Sequence, residues 1–385
     1  MRQIYLDHNS TSPIDPQVID AMVACHQAGY VNPASQHRMG QIARQKLEFL
    51  RSDIVDMLGG NNRGVDADQL IFTSGGTESN NLALFGLCLD DTKRTAGRTL
   101  VSAVEHPSVL EAAESLRQQG ASVDHIPVDA NGIIKLNELE AALEKPTRLV
   151  SVMAANNETG VIQPVQKIGR LCRSRSTMVH CDAVQAVGKI PVNFRELEID
   201  AMTLTAHKFQ GPRGVGALLV KNTARLNPIF HGGFQQMGIR PGTEDVALVA
   251  GLHRALQLFL EDEEIRQKQT EGLRDLLQAR ILNDCQQATI VGSHVHRTPN
   301  CLNVCFSGID RQAFLMAADL QGLAISTGSA CASGSSDMSH VLLAMGLSRT
   351  MAEGSIRMSL SHLTTRDEIN MAADRIALIY KDLQR

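Results

Sequence analysis

A lysine at the end of an apolar strand is the first residue of this sequence that needs a chemical explanation. Lys208 stands in MTLTAHKFQGPRGVGALL, residues 202–219. Residues 202–205 alternate apolar and hydroxyl side chains and read as a strand; residues 215–219 read as another. Between them Lys208 follows His207 and precedes Gly211, Pro212, Gly214 and Gly216. A surface lysine needs no such setting. A desolvated lysine gives up its proton more readily and becomes a nucleophile that can bond a bulky carbonyl compound. Glycines in the turn would leave room for that compound.

Other polar residues fall at comparable places, each just after a predicted strand. QLIFTS is followed by GGTESNN, residues 75–81, which opens a helix. There Gly76 and Thr77 would turn helix N–H groups toward an anion such as phosphate. A plain strand-to-helix turn capped by Thr77 is the competing reading. The GxxxxGK[ST] loop of nucleoside-triphosphate sites is missing. TLVSAV is followed by Glu105, His106 and Pro107, and a lone histidine in that position is more often structural. RLVSVM is followed by AANNETG, and MVHC by Asp182 and Gln185. A helix cap is the bland reading of Asp182. One cofactor makes sense of the set. Pyridoxal phosphate needs a phosphate cradle, an amine, a carboxylate against its ring nitrogen and a flat group on its ring face. Asp182 precedes Lys208 by 26 residues, the length of a strand, a crossover and a return.

These residues require an open sheet to bring them together. From about 68 to 220, short apolar strands alternate with helical segments at 78–89, 108–119, 136–143 and 165–173. That alternation predicts an α/β fold with a mostly parallel sheet, whose ligands gather at the carboxyl ends of the strands. The seven strands are QLIFTS, TLVSAV, VDHIPV, RLVSVM, MVHCDA, AMTLTA and GALLV. A long helical pattern over about 245–280 links this part to a second, α+β part. The second part contains strand NCLNVCF, helix RQAFLMAADLQ, a Gly/Ser-rich loop, helix HVLLAMG, strand SIRMSL and a last helix from Thr365. Residues 17–255 are expected to form the large cofactor-binding domain. Residues 1–16 and 256–385 are expected to form a smaller domain.

Composition narrows the class. The 385 residues carry 37 Lys and Arg against 41 Asp and Glu, a formal charge of −4 without a basic run. Nucleic acid and anionic membranes are therefore not expected partners. There is no apolar run of bilayer length, and the N-terminus enters a short strand with no signal or transit pattern. Eight scattered cysteines form no CxxC pair. Neither a metal site nor a disulfide framework is expected, and a reducing cytoplasm fits best.

The motifs YLDHNSTSP, NPASQHRMG, FTSGGTESNN, EHPSV, NNETG, CDAVQAVGK, TAHKFQGPRG, RPGT, STGSACASG and SIRMSLS run in order along nearly the whole chain. In these the sequence resembles the cysteine desulfurases, class V enzymes of the fold-type I pyridoxal phosphate group. The resemblance implies that Lys208 holds the cofactor and moves protons. It implies that His106 stacks on the ring, Asp182 meets its nitrogen and Gln185 its phenolic oxygen. Gly76, Thr77, Thr205 and His207 would bind the phosphate. Thr243 would do so from the other subunit of a homodimer. Asn157 and Arg357 would hold the substrate carboxylate, a task that suits a guanidinium fork.

Cys331 lies in ISTGSACASGSSDMS, a Ser/Gly-dense stretch that predicts a flexible loop. The other cysteines sit in apolar or helical contexts and suit small buried hydrophobes. The SGSAC pattern resembles the longer-loop branch of the family. The implied reaction takes L-cysteine, uses Lys208 to remove its α-proton and lets the Cys331 thiolate attack its sulfur. L-alanine leaves, and a persulfide on Cys331 passes to an acceptor. His106 is a candidate proton donor or acceptor. That acceptor, whether an iron–sulfur scaffold, a tRNA-thiolation partner or another thio-cofactor route, stays open. Selenocysteine lyase and class V aminotransferase are the rival activities, and a non-catalytic binding member is a third. Three departures stand out. GGFQQMG, residues 232–238, replaces a GGGQExG pattern. NSTSP replaces an AATTP-like opening. The sequence stops at Arg385, just after the last predicted helix, where the resemblance implies that scaffold-serving members often carry a docking extension; this weakens the expectation of a scaffold partner.

Overall fold

The computed structural model describes residues 2–88, 97–328 and 338–384. Its centre is a seven-stranded sheet. In spatial order the strands are Gln69–Thr73, Gly216–Val220, Ala201–Thr205, Met178–Asp182, Leu149–Met153, Thr99–Ser102 and Val123–Ile126. Only Gly216–Val220 pairs antiparallel to its neighbours, so six strands point one way. The central strands are apolar or hydroxyl-bearing along their whole length, and every residue of Leu149–Met153, Ala201–Thr205 and Gly216–Val220 is buried. This is the pattern of strands covered on both faces. Truncating one of their leucines to alanine costs about 2–5 kcal/mol in comparable cores.

The covering helices start where the sequence offers a cap. Pro107–Gln118 is capped by His106, whose ring accepts the Ser108 N–H. Asp245 accepts two N–H bonds at the start of Val246–Glu261, and Thr365 and Glu368 form a reciprocal capping box at Arg366–Leu383. The helical pattern over 245–280 is broken in two. Val246–Glu261 and Glu263–Asp284 meet at Asp262, whose φ of −130° is not helical. Four adjacent carboxylates, residues 261–264, repel along a continuous helix, whereas Glu263 and Glu264 are favourable in the first turn of a new one. The first helix packs in the sheet's core, through Val249 and Leu256, and the second joins a different core through Leu277 and Ile281.

That second core surrounds a three-stranded antiparallel sheet of Ala288–Ile290, Cys301–Phe306 and Ser355–Ser359. Ile4 and Leu6 pack in it as well. The N-terminal strand Ile4–Tyr5 pairs in parallel with Leu323–Ala324, and Asp7 bridges to Ser359. The start of the chain is thereby fixed against its last third. Residues 9 and 10 are carried to the carboxyl ends of the large sheet's strands.

Candidate active site

Register places the site. Met153 is paired with Asp182, and Asp182 with Thr203, so the parallel strands end level with one another. The turns after them enclose a cavity of about 370 Å³. Gly76, Thr77, His106, Asn157, Asp182, Gln185, Thr205, His207, Lys208 and Arg357 all line it. The exception among the described candidates is Thr243, which sits on a separate surface pocket with Tyr30 and Asn32. Cys331 lies outside the described residues.

Lys208 ends a 3₁₀ turn, Ala206–Lys208, directly after the strand Ala201–Thr205. Its Nζ donates to the carbonyl oxygens of Asn9 at 2.8 Å and Ser10 at 2.7 Å. The expectation of a buried lysine needs correcting. Lys208 is half-buried because its side chain faces the cavity, whereas Lys189 is the lysine sealed from solvent, at 7 % exposure. The glycines after Lys208 also serve another purpose than making room. A Cβ on Gly211 would stand 2.6 Å from Ala206 Cβ, and one on Gly216 would stand 2.7 Å from the Gly75 backbone. They let the turn fold on itself and pack against the neighbouring loop.

Asp182 is buried, and both of its oxygens accept. Oδ2 takes Asn80 Nδ2 at 2.7 Å and Oδ1 takes the Val184 N–H at 3.0 Å. The two donors fix the carboxylate beside the cavity. His106 accepts the Ser108 N–H at Nδ1, 3.1 Å away, which puts the ring proton on Nε2. Burial lowers the His106 pKa most; Asp182 pulls it up, while Lys208 and His340 push it down. The imidazole is therefore neutral near pH 7. It both caps a helix and lines the cavity, so its structural and functional readings coexist. The preceding Glu105 is fully buried and accepts the Met153 N–H at 2.7 Å. Burial and then the Asp182 charge raise its pKa well above the ordinary value.

Arg357, at 3 % exposure, comes from the second core's strand Ser355–Ser359. Nη2 donates to Asp7 Oδ1 at 2.7 Å and to Ser10 Oγ at 3.0 Å, and Nη1 donates to the Asn157 carbonyl at 3.0 Å. Among the described residues its Nε–H is buried without a partner, as is Oδ1 of Asn80. Buried polar atoms are ordinarily bonded, and two orphans lining one cavity mark it as built for a polar ligand. The helix that carries Asn80, Gly76–Cys88, opens with Gly76 and Thr77 on the same cavity as Thr205 and His207. A Cβ on Gly76 would come within 3.0 Å of Val184 and 3.7 Å of Thr205, closing that space. A helix N-terminus with a hydroxyl and an imidazole suits a phosphate. The residues present fit pyridoxal phosphate.

Several lining or supporting residues escaped the sequence reading. Asn9 and Ser10 belong to the YLDHNSTSP motif, Asn80 to GGTESNN and Ser108 to EHPSV. Their signal was membership of a motif, but the chemistry of Asn9, Ser10 and Asn80 depends on partners far away in the chain. The changed segment 232–238 also has a visible task. Gln236 Oε1 accepts the Phe72 N–H at 2.7 Å, and its Nε2 donates to the Phe72 carbonyl at 2.9 Å. The side-chain amide thus pairs with the edge strand as a neighbouring peptide would. Phe234 beside it is 88 % exposed.

The seven described cysteines are all buried. Burial raises each thiol pKa, to about 11 for Cys88, Cys285 and Cys305 and about 12 for Cys172. Among the described residues, no group of three or more His, Cys, Asp or Glu could hold a metal ion, and no helix is long and apolar enough to cross a membrane.

Comparison with known proteins agrees with this geometry. The family model "Aminotransferase class-V" matches residues 4–371. The cysteine desulfurase IscS of Dictyoglomus turgidum is 38 % identical over 384 residues, covering all of this chain and 96 % of the relative. The mitochondrial cysteine desulfurase of Eremothecium gossypii is 40 % identical, over 96 % of this chain and 74 % of its own. Among solved structures a NifS-like protein superposes with a TM-score of 0.90 at 35 % identity, over 99 % of this chain and 100 % of that one. A fold-type I sheet whose strand ends bring a lysine and an aspartate to one cavity with an arginine from the second core, together with full-length identity of this order, leads to one conclusion: the chain belongs to the class V aminotransferase family, whose members depend on pyridoxal phosphate, and within it to the cysteine desulfurases.

Proposed function

We propose that this chain takes sulfur from L-cysteine onto Cys331 and releases L-alanine, with the described cavity as its active site. The observation that carries the reading is the convergence of Lys208, Asp182 and Arg357 on one cavity, from two strand ends of the large sheet and a strand of the second core. Lys208 would hold the cofactor's aldehyde carbon, Asp182 its ring nitrogen, His106 its ring face and Gln185 its phenolic oxygen. Gly76, Thr77, Thr205 and His207 would hold its phosphate. When bound, the cofactor supplies a sink for the electron pair left by α-proton removal.

The protein's own groups do the rest. The unpartnered Nε–H of Arg357, with Asn157 beside it, receives the substrate carboxylate and aims its α-carbon at Lys208. Lys208 Nζ takes the α-proton and later returns a proton. Neutral His106 would serve as proton donor or acceptor for the thiols of substrate and Cys331. The Cys331 thiolate bonds to the substrate sulfur as the carbon–sulfur bond breaks. The carbon side gains a proton and leaves as alanine, and Cys331 keeps the sulfur as a persulfide. The seven buried, high-pKa thiols support Cys331 by contrast, because none is placed to ionise.

The division into residues 17–255 and residues 1–16 with 256–385 belongs to the same reading. So do a homodimer in which Thr243 serves the other copy's cavity, an iron–sulfur scaffold as acceptor and a cytoplasmic location. Thr243 lies away from the cavity of its own chain, which is what such a dimer would need. The test is direct. Holoprotein is incubated with L-cysteine; alanine and a persulfide on Cys331 are expected by chromatography and mass spectrometry. A keto acid as the main product, or a persulfide on another cysteine, would overturn the reading.

A further inference from the structure

Lys189 is a second lysine beside the first, and no step above uses it. It is 7 % exposed, and its Nζ makes two hydrogen bonds, to Asn9 Oδ1 at 2.7 Å and to Gln185 Oε1. Both acceptors are amide oxygens. No carboxylate among the described residues stands within ion-pair distance of it. Two bonds are what a neutral amine can donate, whereas an ammonium has three donors to place.

Asn9 ties this group to the active site. Its side-chain oxygen receives Lys189 and its backbone oxygen receives Lys208, at 2.8 Å. The same backbone oxygen accepts Gln185 Nε2 at 3.0 Å. Asn300 Nδ2 adds a bond to Asn9 Oδ1 at 2.9 Å. Two amines are thus attached to opposite ends of one residue, and Gln185 closes the circuit between them. An amide side chain such as Gln185 has two ends that differ only in bonding. With its oxygen taken by a buried amine, its NH₂ end is the one left to donate to the Asn9 backbone oxygen, beside the cavity that Gln185 lines.

We infer that Lys189 is a positioning residue for this site, which turns the NH₂ end of Gln185 toward the cavity and shares a single proton with Lys208. The inference rests on the reading of Lys208 and Gln185 as cofactor-holding residues. The charged and titratable groups facing Lys189 are Lys208, Arg357, His8, His207 and Cys301. Lys208 and Arg357 oppose a charge on it. The Cys301 thiol is itself held neutral by burial, and burial also keeps His8 and His207 neutral near pH 7. Protonating both lysines would place two like charges on one asparagine in a desolvated setting, so their titrations are coupled. Removing Lys189 favours a proton on Lys208, because the competitor for the shared proton and its repulsion are lost in either variant; the methionine variant also frees an amide oxygen to accept from Lys208.

The test titrates the lysines of cofactor-free protein by NMR of ¹³C-labelled lysine ε-carbons. The Lys208 signal is assigned by its loss in Lys208→Ala. Lys189→Met and Lys189→Gln are each expected to raise the Lys208 midpoint by about one pH unit. The methionine variant, which offers Gln185 no donor, is expected to bind pyridoxal phosphate about tenfold more weakly. The glutamine variant, which keeps an NH₂ group there, stays within about threefold of the parent. An unchanged or lowered Lys208 midpoint in a folded variant overturns the inference, and so does equal cofactor affinity in all three proteins. Should the methionine variant fail to fold, the midpoint in Lys189→Gln decides. Full desulfurase activity in Lys208→Ala would instead overturn the reading of Lys208, and the titration would still report on the pair.

Discussion

Replacing Asp182 by asparagine separates its charge from its shape. The carboxylate accepts from Asn80 Nδ2 at 2.7 Å and from the Val184 N–H at 3.0 Å. An asparagine has one accepting end, so in either orientation one of these donors meets an NH₂ group. Asn80 can turn its unpartnered Oδ1 toward the new amide, but its NH₂ then leaves the Ser108 hydroxyl, now 2.8 Å away. One buried hydrogen bond is lost either way, at about 1–3 kcal/mol, which a thermal melt reads as a fall of several degrees. The charge matters separately. A charge-assisted bond to the ring nitrogen is worth about 1.5–3 kcal/mol, and every 1.4 kcal/mol lost from the transition state is tenfold in rate. The expected fall in kcat is about ten- to two-hundred-fold or more. Cofactor content should fall much less, because Lys208 and the helix N-terminus still hold it. The assay compares alanine release with bound cofactor after gel filtration, at saturating cysteine. Equal losses of the two, or a kcat within threefold of the parent, would show that Asp182 is only a structural acceptor.

Lys208→Ala should abolish alanine production; measurable turnover at the parental rate would refute its role. Cys331→Ala should keep the bound cofactor and its spectral response to cysteine, yet release little alanine and carry no persulfide by mass spectrometry. Arg357→Lys keeps the charge but cannot serve Asp7, Ser10 and Asn157 while also meeting a substrate carboxylate. KM for cysteine should rise about ten- to a hundredfold, with kcat changed less. Acid should destabilise the fold through its buried histidines. His180 bonds Ser151 and Thr203 with its two ring nitrogens, and burial lowers its pKa to about 4. A folded pKa below the unfolded value of about 6.5 means stability that is full above pH 6.5 and lost as pH falls toward 4. His180→Gln should therefore show a shallower fall in Tm between pH 6.5 and 4, and an identical slope would count against this cause.

The strands and their order along the chain could be read from apolar runs and turn residues, because a strand buried on both faces has little other composition available. The same holds for the loops carrying Gly76, His106, Asp182 and Lys208, since each follows such a run directly. The sequence also carried the resemblance that pointed to a pyridoxal phosphate enzyme. Tertiary structure alone decided which lysine is buried. Both Lys189 and Lys208 stand near glycines after apolar stretches, and only the path of residues 7–10 seals one and leaves the other facing the cavity. It also decided what Asn9 and Arg357 touch, because the side-chain bonds that join them to Asn157, Gln185, Lys189, Lys208 and Asp7 span 148 to 350 residues of chain. Local propensity acts over a few residues and fixes helices, strands and turns. A hydrogen bond across hundreds of residues depends on how two separate cores are set against each other, and no local pattern encodes that distance. The break at Asp262 is of the same kind: apolar spacing continues through it, while the charges and the change of core end one helix and start the next.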